Sequence, residues 1–148
     1  MKDSQRRCGG VVKRQDVSKL DFDAAFFAEL EGQAVGLVAI EIHDDEAYIK
    51  RLVVLENFRR KGIGAKLIEK AIEFSKSKGT KRIRVKAAQN TSRFYERNGF
   101  RPIGYRHVIR LPHMNDTRVI EEGDVEWMKK RDLNFETVTK VEVMTREL

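Results

Sequence analysis

The segment Asn57-Phe-Arg-Arg-Lys-Gly-Ile-Gly-Ala-Lys66 places Gly62 and Gly64 among the cations Arg59, Arg60, Lys61 and Lys66, just ahead of an amphipathic run. At a helix start such a segment offers unpaired backbone N–H groups, a positive dipole end and glycines that let an anion approach the main chain. The chemistry it suits is the binding of phosphate. Spacing excludes two common phosphate ligands. A Walker loop requires Gly, four residues and Gly-Lys-Ser/Thr, a string that occurs nowhere in the chain; a dinucleotide loop requires a glycine three residues after Gly64, where Leu67 stands. Other reactive side chains are sparse. Cys8 is the single cysteine, so it forms no intrachain disulfide and assembles no zinc site alone. Histidine suits proton transfer near neutral pH, but His43, His107 and His113 each read as surface residues.

The surrounding elements decide where this loop sits. Asp23–Leu30 and Ala34–Ile42 are Phe/Val/Ile-rich runs joined by Glu31-Gly32-Gln33, which reads as a β-hairpin. The polar turn His43–Glu46 leads to a third strand, Ala47–Leu55, and a short strand fits Gly10–Arg14. The period changes in Gly64–Gly79, where Leu67, Ile68, Ala71, Ile72 and Ser75 follow helical spacing and Lys76, Lys78 and Gly79 form a stop. In Lys81–Ala87, Ile83, Val85 and Ala87 alternate with Arg82, Arg84 and Lys86. A strand, a helix and a strand at this length predict a parallel pair with a crossover helix. Thr91–Arg97 reads as a short helix, Phe100–Leu111 as a strand broken by Pro102, Val119–Lys130 as a helix, and Thr137–Thr145 as a last strand. Without repeat or linker, residues 1–148 read as one α/β domain built on a mixed sheet.

Against this frame, Arg59-Arg60-Lys61-Gly62-Ile63-Gly64 resembles the Arg/Gln-x-x-Gly-x-Gly/Ala loop of the GNAT superfamily of acyl-CoA-dependent N-acyltransferases. Leu52-x-Val54 is similar to the family's preceding strand end, and Phe94-Tyr-Glu-Arg-Asn-Gly-Phe100 to its Phe-Tyr-Glu-x-x-Gly-Phe segment. The likeness runs over about residues 23–110 and leaves 111–148 as an atypical extension. It implies an antiparallel meander, then a β-α-β crossover whose central strands splay around acetyl-CoA. The pyrophosphate is then expected on the backbone of Arg59, Arg60, Lys61, Gly62, Ile63, Gly64 and Ala65, and the pantetheine arm along Leu52, Val53 and Val54. Asn90 resembles a CoA-contacting asparagine, although only four residues separate it from Tyr95, fewer than in many members. Tyr95 matches the tyrosine that protonates the departing thiolate. The implied reaction is direct acetyl transfer to a primary amine, on a small molecule or a protein, without a metal. A base must deprotonate the attacking amine. No carboxylate matches the family's pattern, since Tyr48 and Arg84 stand on the splayed strands, so Glu46 and Glu41 are the available candidates.

The resemblance also marks a departure. A strand and two helices usually precede the hairpin, whereas about 22 residues stand there in this chain. The expectation is that Val119–Lys130 replaces those helices, within one chain or across a homodimer, with Glu121, Glu122, Asp124 and Glu126 facing Arg82, Arg84 and Lys86. Composition narrows the function classes. Lys+Arg 30 against Asp+Glu 23 gives a net charge of +7, and a phosphorylated cofactor accounts for part of it. Nucleic acid is another reading of that charge, but there is no basic patch interleaved with aromatics and no recognition helix. A CoA-binding interaction module without turnover is the second alternative. A hydrophobic fraction of 41% argues for a folded chain. The longest apolar runs, such as Ala34–Ile40, fall far short of the roughly 20 residues of a membrane span. With no apolar stretch behind Met1–Gly10, a cytosolic location is expected.

Overall fold

Two tight turns and alternating apolar residues fold the first half of the chain into a meander. In the computed structural model, which describes residues 11–16, 22–88, 90–112 and 116–148, the strands are β1 Val11–Gln15, β2 Ala24–Leu30, β3 Gln33–His43 and β4 Glu46–Val54. Cys8, Val17, Leu20 and His113 lie outside the described residues. Both residues of the β2–β3 turn, Glu31 and Gly32, have positive φ (52° and 78°), the twist that suits a two-residue hairpin. A short 3₁₀ turn, Glu56–Phe58, leads to helix α1, Ile63–Ser77, and then to strand β5, Arg82–Ala87. After these come α2 Ser92–Arg97, β6 Arg101–Leu111, β7 Asp116–Ile120, α3 Glu122–Lys130 and β8 Glu136–Glu147. The chain divides into two compact units, residues 1–85 with 146–148, and residues 86–145.

In the first unit the strand order is β1-β2-β3-β4-β5, with antiparallel pairs up to β4 and a parallel β4–β5 pair. This is the mixed sheet and crossover that the alternation predicts. Helix α1 packs across β2, β3 and β4. Its buried residues Ile63, Leu67, Ile68, Ala71, Ile72 and Phe74 meet Val38, Ile40, Ala47 and Ile49 in the core. Gly36 sets the closeness of that packing. A Cβ there would lie 3.1 Å from Leu67 Cδ1, 3.1 Å from Val53 O and 3.2 Å from Ile63 Cγ2. The β3–β4 ladder pairs Ala39 with Arg51 and Ile40 with Ile49, so Lys50 is an extra, bulged residue in β4.

The second unit is antiparallel, with β6 between β8 and β7. Tyr95, Phe100, His107, Ile109, Val125, Val143 and Met144 are buried. Two expectations are corrected here. Val119–Lys130 is not one helix: Val119 and Ile120 belong to β7, pairing with Val108 and His107, and the helix starts only at Glu122. Ladder bonds to β6 outweigh the helical spacing of Ile120, Trp127 and Met128. Nor is His107 a surface residue: it is 4% exposed, with Nε2 2.7 Å from the Glu122 carboxylate. Pro102 interrupts its strand as expected, where a register shift leaves Ile103 unpaired between Pro102↔Met144 and Gly104↔Val143. Among the described residues, no helix is long and apolar enough to cross a membrane, and no group of three or more His, Cys, Asp or Glu could hold a metal ion.

Candidate functional site

The end of β4 and the start of α1 bring the predicted phosphate loop onto the first unit's sheet. Phe58 N–H donates to Leu55 O at 2.9 Å and Arg59 N–H to Glu56 O at 3.3 Å, closing the 3₁₀ turn. Arg60 and Gly62 then take positive φ, 63° and 81°, which turns the chain into the helix. Lys66 N–H donates to Gly62 O at 3.1 Å and closes the first turn of the helix. No side chain caps Gly62, and no acidic residue stands in the first turn. The leading N–H groups of Ile63, Gly64 and Ala65 thus precede any intrahelical acceptor, and the positive end of the helix dipole is not neutralised from within. Arg59, Arg60, Lys61 and Lys66 are all exposed around it. An anion is the group this arrangement can hold.

Alternation places the strand edge beside that loop. Leu55 N–H donates to Val35 O at 2.9 Å, so the main chain of Leu55 and Val53 faces β3 while that of Val54 and Leu52 faces the opposite edge. Arg59 Nε donates to Val54 O at 3.0 Å and ties the loop to this edge. The parallel ladder with β5 covers only Glu46↔Arg82 to Ile49↔Val85, and β4 runs on to Val54. Leu52, Val54 and the loop therefore form one continuous backbone surface with hydrogen-bonding capacity.

A second group of side chains occupies the sheet face opposite α1. Because Gly36 and its partner Val54 face α1, strand alternation and the Lys50 bulge put Glu41, His43, Glu46, Tyr48, Arg82 and Arg84 on the other face. Glu46 is the hub. Its carboxylate accepts from Tyr48 Oη at 2.8 Å and Arg82 at 2.8 Å, and pairs with Arg84 at 3.0 Å. The Tyr48 and Arg82 hydrogen bonds hold the Glu46 carboxyl below the usual carboxylate range, and the Tyr48 hydroxyl is pushed up chiefly by the bond to that anion. Glu41 lies 2.5 Å from His43 Nε2 and 3.7 Å from Lys50 Nζ, and the His43 ring stands edge-on to Tyr48. Arg82 has a further carboxylate, Glu147, at 3.7 Å. Within one chain, this corrects the expectation that Glu121, Glu122 and Glu126 serve Arg82 and Arg84. Glu46 and Glu147 serve Arg82 and Glu46 serves Arg84, while Glu121 pairs with Arg106, Glu122 with His107 and Glu126 with Lys129.

Asn90 and Tyr95 lie in the second unit. Asn90 has a left-handed φ of 69° just after β5. Tyr95 is 6% exposed, with its ring edge-on to Phe94 and Phe100. Burial pushes its hydroxyl up to about 12. The structure thus gathers Leu52, Val54 and Arg59–Ala65 at one end of the first unit and Glu41 with Glu46 in the network, with Val53 directing its backbone to β3. Sequence reasoning misses Tyr48, Arg82 and Arg84 as partners of Glu46. The available signal is polar residues at i and i+2 on three successive strands: Glu41/His43, Glu46/Tyr48 and Arg82/Arg84.

This geometry agrees with comparisons against known proteins. The acetyltransferase (GNAT) domain model matches residues 22–102, more than half of the chain. An uncharacterized N-acetyltransferase of Chlorobaculum tepidum is 38% identical over 97 residues, covering 64% of this chain and 61% of that protein. The chain spans about half the length of the curated relatives it matches. Among solved structures, the IAA acetyltransferase of Bacillus cereus is similar with a TM-score of 0.68 and 19% identity, over 93% of this chain and 99% of that one. A GNAT family acetyltransferase of Elizabethkingia anophelis, solved with acetyl-CoA bound, gives 0.65 and 18% over 93% and 97%. At these identities the structural likeness speaks for the fold. Loop, strand edge, crossover and domain match converge: the chain belongs to the GNAT acetyltransferase family.

Proposed function

We propose that this chain is a cytosolic N-acetyltransferase that moves the acetyl group of acetyl-CoA directly onto a primary amine. The observation that carries the reading is the uncapped start of α1, ringed by Arg59, Arg60, Lys61 and Lys66 and joined to the end of β4, which runs on beyond its ladder with β5. In this reading the backbone of Arg59, Arg60, Lys61, Gly62, Ile63, Gly64 and Ala65 receives the pyrophosphate. Leu52 and Val54 pair with the pantetheine amides like an added strand, Val53 spaces them, and Asn90 contacts the cofactor. The acetyl-CoA bound to the Elizabethkingia anophelis neighbour supports this choice of cosubstrate.

Catalysis then needs two proton movements. The neutral amine attacks the thioester carbonyl, the C–S bond breaks as the tetrahedral centre collapses, and the thiolate takes up a proton. Tyr95, whose hydroxyl keeps its proton to about pH 12, hydrogen-bonds to the departing sulfur and supplies that proton. For the base, Glu46 and Glu41 differ in what remains available. Glu46 spends its oxygens on Tyr48, Arg82 and Arg84 and acts as the hub that orients them. Glu41, hydrogen-bonded to His43 and 3.7 Å from Lys50 Nζ, is the less heavily bonded carboxylate and accepts the ammonium proton, directly or through water. Thiol release from acetyl-CoA across a panel of amines and basic peptides tests the reading. Amine-dependent release is expected. CoA binding without release selects the interaction-module alternative, and strongly salt-dependent retention on nucleic acid selects the third reading.

A further inference from the structure

We propose that the acceptor amine carries a carboxylate and that Arg84 receives it. This rests on the transferase reading, which puts the acyl group where β4 and β5 part. Tyr48↔Arg84 is the last pair but one in the parallel ladder, and it is the last whose side chains stand on the face opposite α1; the ladder ends at Ile49↔Val85. Arg84 therefore stands one residue before the end of the ladder on that face, with Arg51, opposite Ala39, beyond it on β4.

Its bonding is incomplete in a way that its neighbour's is not. Arg82 meets Glu46 and also Glu147. Arg84 has only a share of Glu46, which already serves Tyr48 and Arg82. Arg84 Nε is buried and has no hydrogen-bond partner among the described residues. A buried donor left unmade is costly, and native sites seldom tolerate one unless something completes it. The Arg84 side chain is 31% exposed, so a ligand can reach part of it. Glu46 holds the guanidinium through Nη2, and the remaining N–H donors suit a charge-assisted bond to a carboxylate.

The test compares binding of matched amines to the full chain in the presence of CoA by calorimetry: tyrosine against tyramine, and 4-aminobutyrate against butylamine. In at least one pair the acid is expected to bind about tenfold tighter than its partner, the scale of a charge-assisted pair. Arg84→Gln should bring the two within about twofold, and Arg84→Lys, which keeps the charge without the guanidinium, should retain part of the preference. Equal binding within both pairs overturns the proposal, as does a preference that survives Arg84→Gln. If Arg84→Gln does not fold, Arg84→Lys decides by whether it loses several-fold selectivity. Thiol release on the same amines is read separately, so an acid preference without turnover would sink the transferase reading and leave only a carboxylate site at Arg84.

Discussion

Tyr95 keeps its proton because its ring is packed against Phe94 and Phe100, and the charged phenolate would be poorly solvated there. The unfolded chain ionises the same group near 10, so between pH 10 and about 12 the unfolded state binds fewer protons and stability falls as pH rises. Tyr95→Phe should flatten that alkaline loss, about 2–3 kcal/mol at full ionisation, in denaturation curves from pH 8 to 12. The same substitution should lower kcat by about 10²-fold with little change in the KM for acetyl-CoA. Glu46 has the opposite sign. Its folded carboxyl lies below 4.5, so its contribution is present above that pH and is lost as pH falls through the folded value. Glu46→Gln should cost about 1–3 kcal/mol near pH 7 by leaving Tyr48, Arg82 and Arg84 with a weaker acceptor, and the gap should close in acid. Urea titrations of both proteins from pH 3 to 7 measure it.

At the scale of elements, the approach of α1 to β3 controls the phosphate loop. Gly36→Ala would push on Leu67 and Ile63 of the helix and on the main-chain oxygen of Val53 at once. Side chains can give, but backbone gives less, so a loss of about 1–3 kcal/mol is expected. CoA affinity should fall with it, because Ile63 stands in the first turn of α1. Thermal melting and CoA calorimetry on the same variant check the coupling. These elements also show what can be read from residues alone. The loop Arg59–Gly64, the amphipathic run after it and the strand Arg82–Ala87 are legible because their signals are local: glycine, charge and period. The Glu46 hub is not legible, because Arg82 reaches it only through a parallel register set by a crossover of many residues. Strand β7 is hidden for the same reason: Val119 and Ile120 suit a helix by spacing, and only the neighbouring β6 makes them a strand.

For the whole molecule, the extension after residue 111 is structural material. Strand β6 is flanked by β7 and β8, and both come from it. Deleting residues 113–148 would leave β6 with bare backbone on both sides, and an exposed edge of that kind promotes aggregation. The truncated protein is expected to be insoluble or to precipitate on concentration. A soluble truncation with native melting, checked by size-exclusion chromatography and circular dichroism, would contradict this account. The homodimer expected from the tail is a separate proposal, with exposed Val119, Trp127, Leu133 and Val138 as its apolar surface. Sedimentation of the intact chain tests it.

Residues 146–148 also give the protein a timetable. Leu148 N–H donates to Lys81 O at 2.9 Å, and Glu147 faces Arg82, so the strand that carries Arg82 and Arg84 is completed by the far end of this sequence. On a ribosome adding about 5–20 residues per second, β5 emerges with β4 already made but several seconds before residues 146–148 exist. For that interval the edge bearing the two arginines stays open, and Arg82 lacks one of its two carboxylates. Stalled nascent chains ending before residue 146 should be more readily cut by protease within β5 than released protein.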